Sequence, residues 1–305
     1  MTRVAAVDCG TNSIRLLVAD IEGNTLTDVD RRMEIVRLGE GVDRTGRFAP
    51  AALKRTFAAS RRYAHVIEDT KAERVTFVAT SASRDVANRE EFVAGVRAAL
   101  GVDPEVISGD DEAALSFMGA TRELLDGGYE TPFLVVDIGG GSTEFVLGGT
   151  SVQAARSVDV GCVRMTERHL HDDPPTKEQV AAARADIEAA IGLGAETVPI
   201  EQTATLVGLA GSVTTVAAMA LDLPAYLPER IHRSTISATE VRSVAERLLA
   251  MTRAERAALP FMHPGRVDVI GAGALILACL VEAVGQGDVL VSEHDILDGI
   301  AWSLA

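Results

Sequence analysis

The chain carries one short device twice. "AVDCGTNSIRLLVAD" fills residues 6–20 and "VVDIGGGSTEFVLGG" fills 135–149. In each copy a β-prone run ends in an aspartate, a glycine follows two positions later, small polar residues come next, and a second β-prone run begins. Aligning them places Asp8 on Asp137, Gly10 on Gly139, Ser13 on Ser142 and Arg15 on Glu144, an offset of 129 residues. A repeated strand–turn–strand limits the chain to folds built from two related halves, and two copies mean duplication rather than a solenoid.

The segments between the copies set the class. "RVAAVD", "SIRLLVADI" and "TLTDVDRRMEIVRLG" read as three strands, with a turn at "EGN". After Pro50 the apolar spacing becomes helical through Leu53, Phe57, Ala64 and Ile67. "RVTFVATSA" is a buried strand, "NREEFVAGVRAALG" a helix ending at Gly101, "PEVISG" a further strand, and a helix starts at Asp110–Asp111. The second half repeats this plan and closes with a strand at "DVLVSE" and a helix at "ILDGIAWSLA". Alternating strands and helices predict an α/β fold of two related domains, and 305 residues suit that number. We place them at 1–124 and 125–305, with a hinge around 122–131 and the terminal helix, 294–305, packing back on the first.

Glycines let backbone N–H groups converge on a phosphate without a Cβ in the way. Gly10 in one loop and Gly139, Gly140 and Gly141 in the other suit that use. Thr11, Asn12, Ser13, Ser142 and Thr143 add polar side chains. Neither loop is a Walker A motif, because no lysine is near and a strand rather than a helix follows. The plainer reading of either copy alone is an ordinary β-hairpin. A third loop, "GLAGSVTTVA", leaves a strand and enters a helix. Gly208, Gly211 and Ser212 could offer helix N-terminal amides to an anion, or Ser212 or Thr214 could simply cap the helix.

Charge excludes some partners. The net charge of −15 argues against a general nucleic-acid surface. It is unevenly spread: residues 1–107 carry 16 basic and 16 acidic side chains, and residues 108–305 carry 13 and 28. A polyanion would meet the first third more easily. Cys9, Cys162 and Cys279 are far apart, without metal or disulfide spacing, and point to reduced core residues of a cytoplasmic protein. No secretory segment is expected at the start, and the uncharged run 269–281 reads as a buried helix too short for a bilayer. His169, His171, His232, His263 and His294 are scattered without ligand spacing and read as structural or surface residues.

"DCGTNS", "DIGGGSTE" and "GLAGSVTT" resemble the phosphate loops of the actin/Hsp70/sugar-kinase superfamily. "SGDDEAALSFMG" at 108–119, "ATSASRD" at 79–85 and "RVDVIGAGALIL" at 266–277 are similar to segments of the exopolyphosphatase/guanosine-pentaphosphatase (Ppx/GppA) family, in its short two-domain actinobacterial form. The resemblance implies two duplicated actin-like (ribonuclease H-like) domains with a cleft between them, and a homodimer. It implies Mg²⁺, or Mn²⁺ in its place, and hydrolysis of the terminal phosphate of inorganic polyphosphate or of guanosine pentaphosphate. The family's catalytic carboxylate falls on Glu112, its metal-site acids on Asp137 and Glu144, and its cleft arginine on Arg84. Asp111 stands where the family has a first glutamate. The helical C-terminal half of longer relatives has no counterpart here, and "EHD" at 293–295 lacks the partner histidines of a His-Asp motif.

Phosphoryl transfer to water needs charge neutralisation and an oriented nucleophile. Asp8, Arg15 and the loop residues would bind phosphate, and Glu112 would polarise the water. Taken alone, three acids in a helix's first turn simply suit the macrodipole. Arg84, at the end of a strand, offers a planar fork to phosphate, or pairs with Asp85. Arg15 could equally point to the other side of its strand. An ATP-dependent kinase of the same superfamily and a low-turnover nucleotide sensor are the competing functions.

Overall fold

The computed structural model of the chain describes every residue except Asp85 and Gln286, and of Asp126 the backbone only. It divides into two compact units, Met1–Gly119 with Ile296–Ala305, and Ala120–Asp295.

The first unit is built on β1 (Thr2–Cys9), a strand apolar on both faces. Val4 and Ala6 face one way, Ala5, Val7 and Cys9 the other, and all are fully buried. β2 (Ser13–Glu22) returns antiparallel, with Asp8 opposite Arg15. β3 (Thr25–Ile35) is a largely polar edge strand. After α1 (Val42–Thr45) and α2 (Pro50–Thr70), β4 (Arg74–Ala79) runs parallel to β1. α3 (Arg89–Leu100) leads to β5 (Pro104–Val106), parallel to β4, and α4 (Gly109–Asp126) follows. The sheet order is β3-β2-β1-β4-β5.

Helices α2 and α3 cover one face through Leu53, Tyr63, Phe92 and Val96. They meet so closely that a Cβ on Gly95 would lie 2.1 Å from the Phe57 ring. The other face is covered by Ile296, Leu297 and Ile300 of α12 (Ile296–Ser303). Arg31 of β3 reaches the buried Asp298 carboxylate at 2.5 Å, anchoring α12 to the sheet edge. A parallel sheet needs such cover on both faces, and the apolar run of β1 shows that need in the sequence.

The second unit contains β6 (Phe133–Ile138), β7 (Thr143–Gly148), β8 (Val152–Val158), α5 (Cys162–His169), α6 (Lys177–Ala195), β9 (Thr205–Leu209), α7 (Ala210–Ala220), α8 (Pro228–Ile231), β10 (Thr235–Ser237), α9 (Ala238–Ala250), α10 (Arg253–Ala257), α11 (Ile270–Val284) and β11 (Asp288–Val291). Its sheet order is β10-β11-β9-β6-β7-β8. Read from β8, this reproduces the first sheet strand for strand, with β10 added antiparallel at the far edge. The three-residue β10 is too short to announce itself in sequence. Helix α11 is buried at every position from Ile270 to Val281, as a helix apolar on every face must be. No helix among the described residues is long and apolar enough to cross a membrane.

The third strand, expected over 25–39, stops at Ile35. Val36 and Arg37 instead donate their amides to the Asn12 carbonyl at 3.1 and 2.9 Å, with Arg37 at φ 49°. The chain leaves the sheet there to brace the first glycine loop.

Candidate active site

In the first unit the Gly10 amide closes the turn on the Ser13 carbonyl at 3.0 Å. The loop is held from behind: Asn12 O accepts the two amides above, and Thr11 O accepts the Gly39 amide at 2.8 Å. Thr11 Oγ1 and Ser81 Oγ share a hydrogen bond of 3.0 Å, which joins the loop to the end of β4. Asp8 and Arg15 are cross-strand partners on one face, the face that α12 covers. Arg15 Nε and Nη2 both donate to Asp8 Oδ2, at 2.9 and 2.6 Å. Arg15 therefore does not point to the far side of its strand, and its charge is matched by Asp8.

Glu112 lies in the first turn of α4, 8 % exposed. The turn divides its acids by task. Ser108 Oγ accepts the Asp111 amide at 3.1 Å and donates to Asp111 Oδ2 at 2.7 Å, so Asp111 closes the helix start. Glu112 is left to meet the Arg84 guanidinium, which donates Nη2–H to Glu112 Oε2 and Nε–H to the Ile107 carbonyl at 3.1 Å. The alternative pairing of Arg84 with Asp85 lies outside the described residues. A half-buried arginine thus steers the carboxylate that the motif singles out.

In the second unit the same turn is closed by the Gly139 amide on Ser142 O, again at 3.0 Å. Its brace is the start of α5: Cys162 and Val163 donate to Gly139 O and Gly140 O at 2.9 Å, and Arg164 Nε donates to Gly141 O at 2.8 Å. This fit demands glycine at 161, where a Cβ would lie 2.4 Å from the Gly140 carbonyl carbon. Thr143 Oγ1 donates to Val160 O at 2.7 Å. What differs is the charge. Asp137 and Glu144 are cross-strand partners, 6 % and 1 % exposed, and Ser157 of β8 donates to Glu144 Oε1 at 2.7 Å. Two acids directly opposite one another repel, and burial sharpens the cost. Two carboxylates flanked by hydroxyls form an all-oxygen donor set, which fits a hard dication such as Mg²⁺.

The third loop behaves differently from the first two. Gly208 lies inside β9, where a Cβ would collide with Val213 and Val289 at 2.8 and 3.0 Å. Its missing side chain makes room for those two valines. Ser212 is buried and points inward, hydrogen-bonding the Cys162 thiol, whose pKa is pushed up by burial. Neither Ser212 nor Thr214 caps α7, whose N-cap is Leu209; Thr214 Oγ1 instead accepts the Tyr226 hydroxyl at 2.8 Å. Gly211 is half-buried, and a Cβ there would lie 2.4 Å from the Arg266 guanidinium. Between them, Ala210 adopts φ 69°, a left-handed strain in a non-glycine residue of the kind that collects at functional turns.

A family model described as the Ppx/GppA phosphatase family matches residues 17–305. The chain belongs to the Ppx/GppA phosphatase family. It is 52% identical over 318 residues to exopolyphosphatase 2 of Mycobacterium tuberculosis, covering 100% of this chain and 99% of that protein. A solved exopolyphosphatase-like protein superposes with a TM-score of 0.97 at 41% identity, covering 100% of this chain and 98% of the other. The Aquifex aeolicus Ppx/GppA enzyme superposes with a TM-score of 0.82 at 31% identity, covering 99% of each chain. The two-sheet α/β architecture is the actin-like form of these Ppx/GppA structures.

Three polar residues that touch these loops and hairpins were not among the candidates the sequence offered. Ser157 stands opposite Glu144 in the β7–β8 register, which period-two counting along "SVQAARSV" could have found. Arg164 and Arg266 had no such signal, because each reaches a glycine loop from a separate helical segment. Conversely, the sequence placed no histidines together, yet His232 and His294 stack at a centroid distance of 4.5 Å. His169 pairs with Asp186 at 2.9 Å, and His263 Nδ1 accepts the Gly265 amide at 3.1 Å.

Proposed function

We propose that this chain is an exopolyphosphatase, a hydrolase that removes the terminal phosphate of inorganic polyphosphate in the cytoplasm. The observation that carries the reading is the charge difference between two otherwise matching hairpins. The first pairs Asp8 with Arg15; the second sets two acids, Asp137 and Glu144, opposite one another, a donor set that suits a hard dication. Family membership and the close relative named an exopolyphosphatase support the same reading.

Asp137 and Glu144 would hold Mg²⁺, which when bound neutralises charge on phosphoryl oxygens. Amides of the two glycine loops other than those of Gly10 and Gly139, which close the turns, bind phosphoryl oxygens that carry the growing charge. Glu112 takes the proton of the attacking water as general base. Arg84 orients Glu112 beforehand, and its guanidinium fork turns to the phosphate when substrate arrives. The absence of lysine from both hairpins leaves arginine as the cation of the site. The resemblance also supports a homodimer, which light scattering on the purified chain would read.

The test is turnover with Mg²⁺ on short polyphosphate, long polyphosphate, guanosine pentaphosphate and ATP, side by side. Phosphate release fastest from polyphosphate, without an acceptor, is the expected outcome. Guanosine pentaphosphate ends in the same phosphoanhydride and presents the same oxygens; fastest turnover there would replace the substrate and keep the mechanism. Consumption of ATP only with an acceptor would mark a kinase and overturn the proposal.

A further inference from the structure

We propose that Glu123, His232 and His294 form a second metal site, one for a transition-metal dication of the Zn²⁺ class, distinct from the oxygen pair Asp137 and Glu144. Among the described residues these three are the one group of potential ligands whose donor atoms all lie within 4.8 Å of one another. His232 Nε2 is 3.4 Å from Glu123 Oε2, and His294 Nδ1 is 3.6 Å from the same oxygen. Ligand bonds of about 2.0–2.2 Å in a tetrahedron put neighbouring donors about 3.3–3.6 Å apart. Both imidazole nitrogens already stand at ligand spacing from the Glu123 carboxylate, and the two nitrogens lie within 4.8 Å of each other.

The backbone presets these positions. Arg233 donates its amide to Val291 O at 2.7 Å, and Val291 donates to Ser234 O at 2.9 Å, which fixes His232 beside the end of β11. Ser292 Oγ accepts the His294 amide at 3.1 Å and donates to the His294 carbonyl at 2.7 Å, so a local turn aims that ring. Glu123 comes from the last turn of α4. Only the Glu123 side chain is exposed, and the imidazoles are partly covered.

Donor chemistry sets the metal. Two imidazoles and one carboxylate favour Zn²⁺, Co²⁺, Ni²⁺ or Cu²⁺ over Mg²⁺, which selects all-oxygen sites. The ring of His232 adds a signature. Its Nδ1 now accepts the Glu293 amide at 3.2 Å. A metal on Nε2 requires the ring proton on Nδ1, which turns that nitrogen into a donor and releases the Glu293 amide. All three ligands belong to the second unit.

The experiment is calorimetric titration of the untagged, full-length chain with ZnCl₂ in excess Mg²⁺, which occupies oxygen sites. One equivalent of Zn²⁺ binds, and His294→Gln and Glu123→Gln each weaken it at least about tenfold. Melting without metal is compared first, so that a misfolded variant is recognised. Co²⁺ then gives the visible absorption of a tetrahedral nitrogen–oxygen site in the parent chain, lost in both variants, and shifts the Glu293 amide resonance. Absence of saturable Zn²⁺ binding, or equal binding and an equal Co²⁺ spectrum in folded His294→Gln protein, overturns the site. None of these readouts depends on phosphate release.

Discussion

One substitution between the repeats, arginine at 15 against glutamate at 144, sets the charge of the two hairpins apart. Asp8 is neutralised within the protein by Arg15, whereas Asp137 faces another acid. Glu144→Gln should therefore lower Mg²⁺ affinity at least about tenfold. The same variant should melt slightly higher than the parent without metal, by about 0.2–1 kcal/mol of relieved repulsion; calorimetry with and without Mg²⁺ reads both effects. Arg84→Ala removes the cation that steers Glu112, and kcat/KM on polyphosphate should fall about 10²-fold. Lysine at 84 should restore little, since a point charge cannot hold the Glu112 carboxylate and the Ile107 carbonyl together. The carboxylate and loop residues were legible because each ends a strand or starts a helix within a short motif. The face that Arg15 points to was not legible from period-two alternation alone; it became fixed once the pairing Asp8 to Arg15 was known.

At the scale of elements, both glycine loops are strand–turn–strand hairpins whose carbonyls are gripped from behind by a separate segment. The brace is 36–39 in the first unit and the start of α5 in the second. Seizing the carbonyls fixes each loop from within the fold. Gly161→Ala should wedge the brace away from Gly140 and cost about 1–3 kcal/mol, a clash rather than a cavity. Thermal unfolding should register a drop of several degrees, with KM for polyphosphate raised as the loop loosens. The strands of both hairpins could be read from alternation and glycine placement. The braces could not, because they depend on where the chain returns after its third strand. The segment 36–39 even looked like continued strand, and only the Asn12 carbonyl explains why it turns away. At Gly208, a glycine in a phosphate-like motif, packing against Val213 and Val289 by itself already requires the missing side chain.

Over the whole molecule, the duplicated sheet order was visible as a 129-residue repeat, and the added strand β10 was not. The division into units places α12 with the first sheet, through Ile296, Leu297 and Ile300. Charge is uneven along the chain: the balanced first third carries Arg15 and Arg84, while the acidic remainder carries Asp137 and Glu144. A polyanionic substrate approaching a chain of net charge −15 depends on local attraction that salt screens. KM for long polyphosphate should rise several-fold between about 50 and 300 mM salt, with kcat little changed, as steady-state rates would show. The account turns on the carboxylate at the start of α4, and one comparison tests it most directly: phosphate release from polyphosphate at saturating Mg²⁺ by Glu112→Gln and by the parent chain. Loss of about 10²–10⁴-fold in kcat, with melting unchanged, is the predicted result. A Glu112→Gln protein that releases phosphate at the parental rate would contradict it.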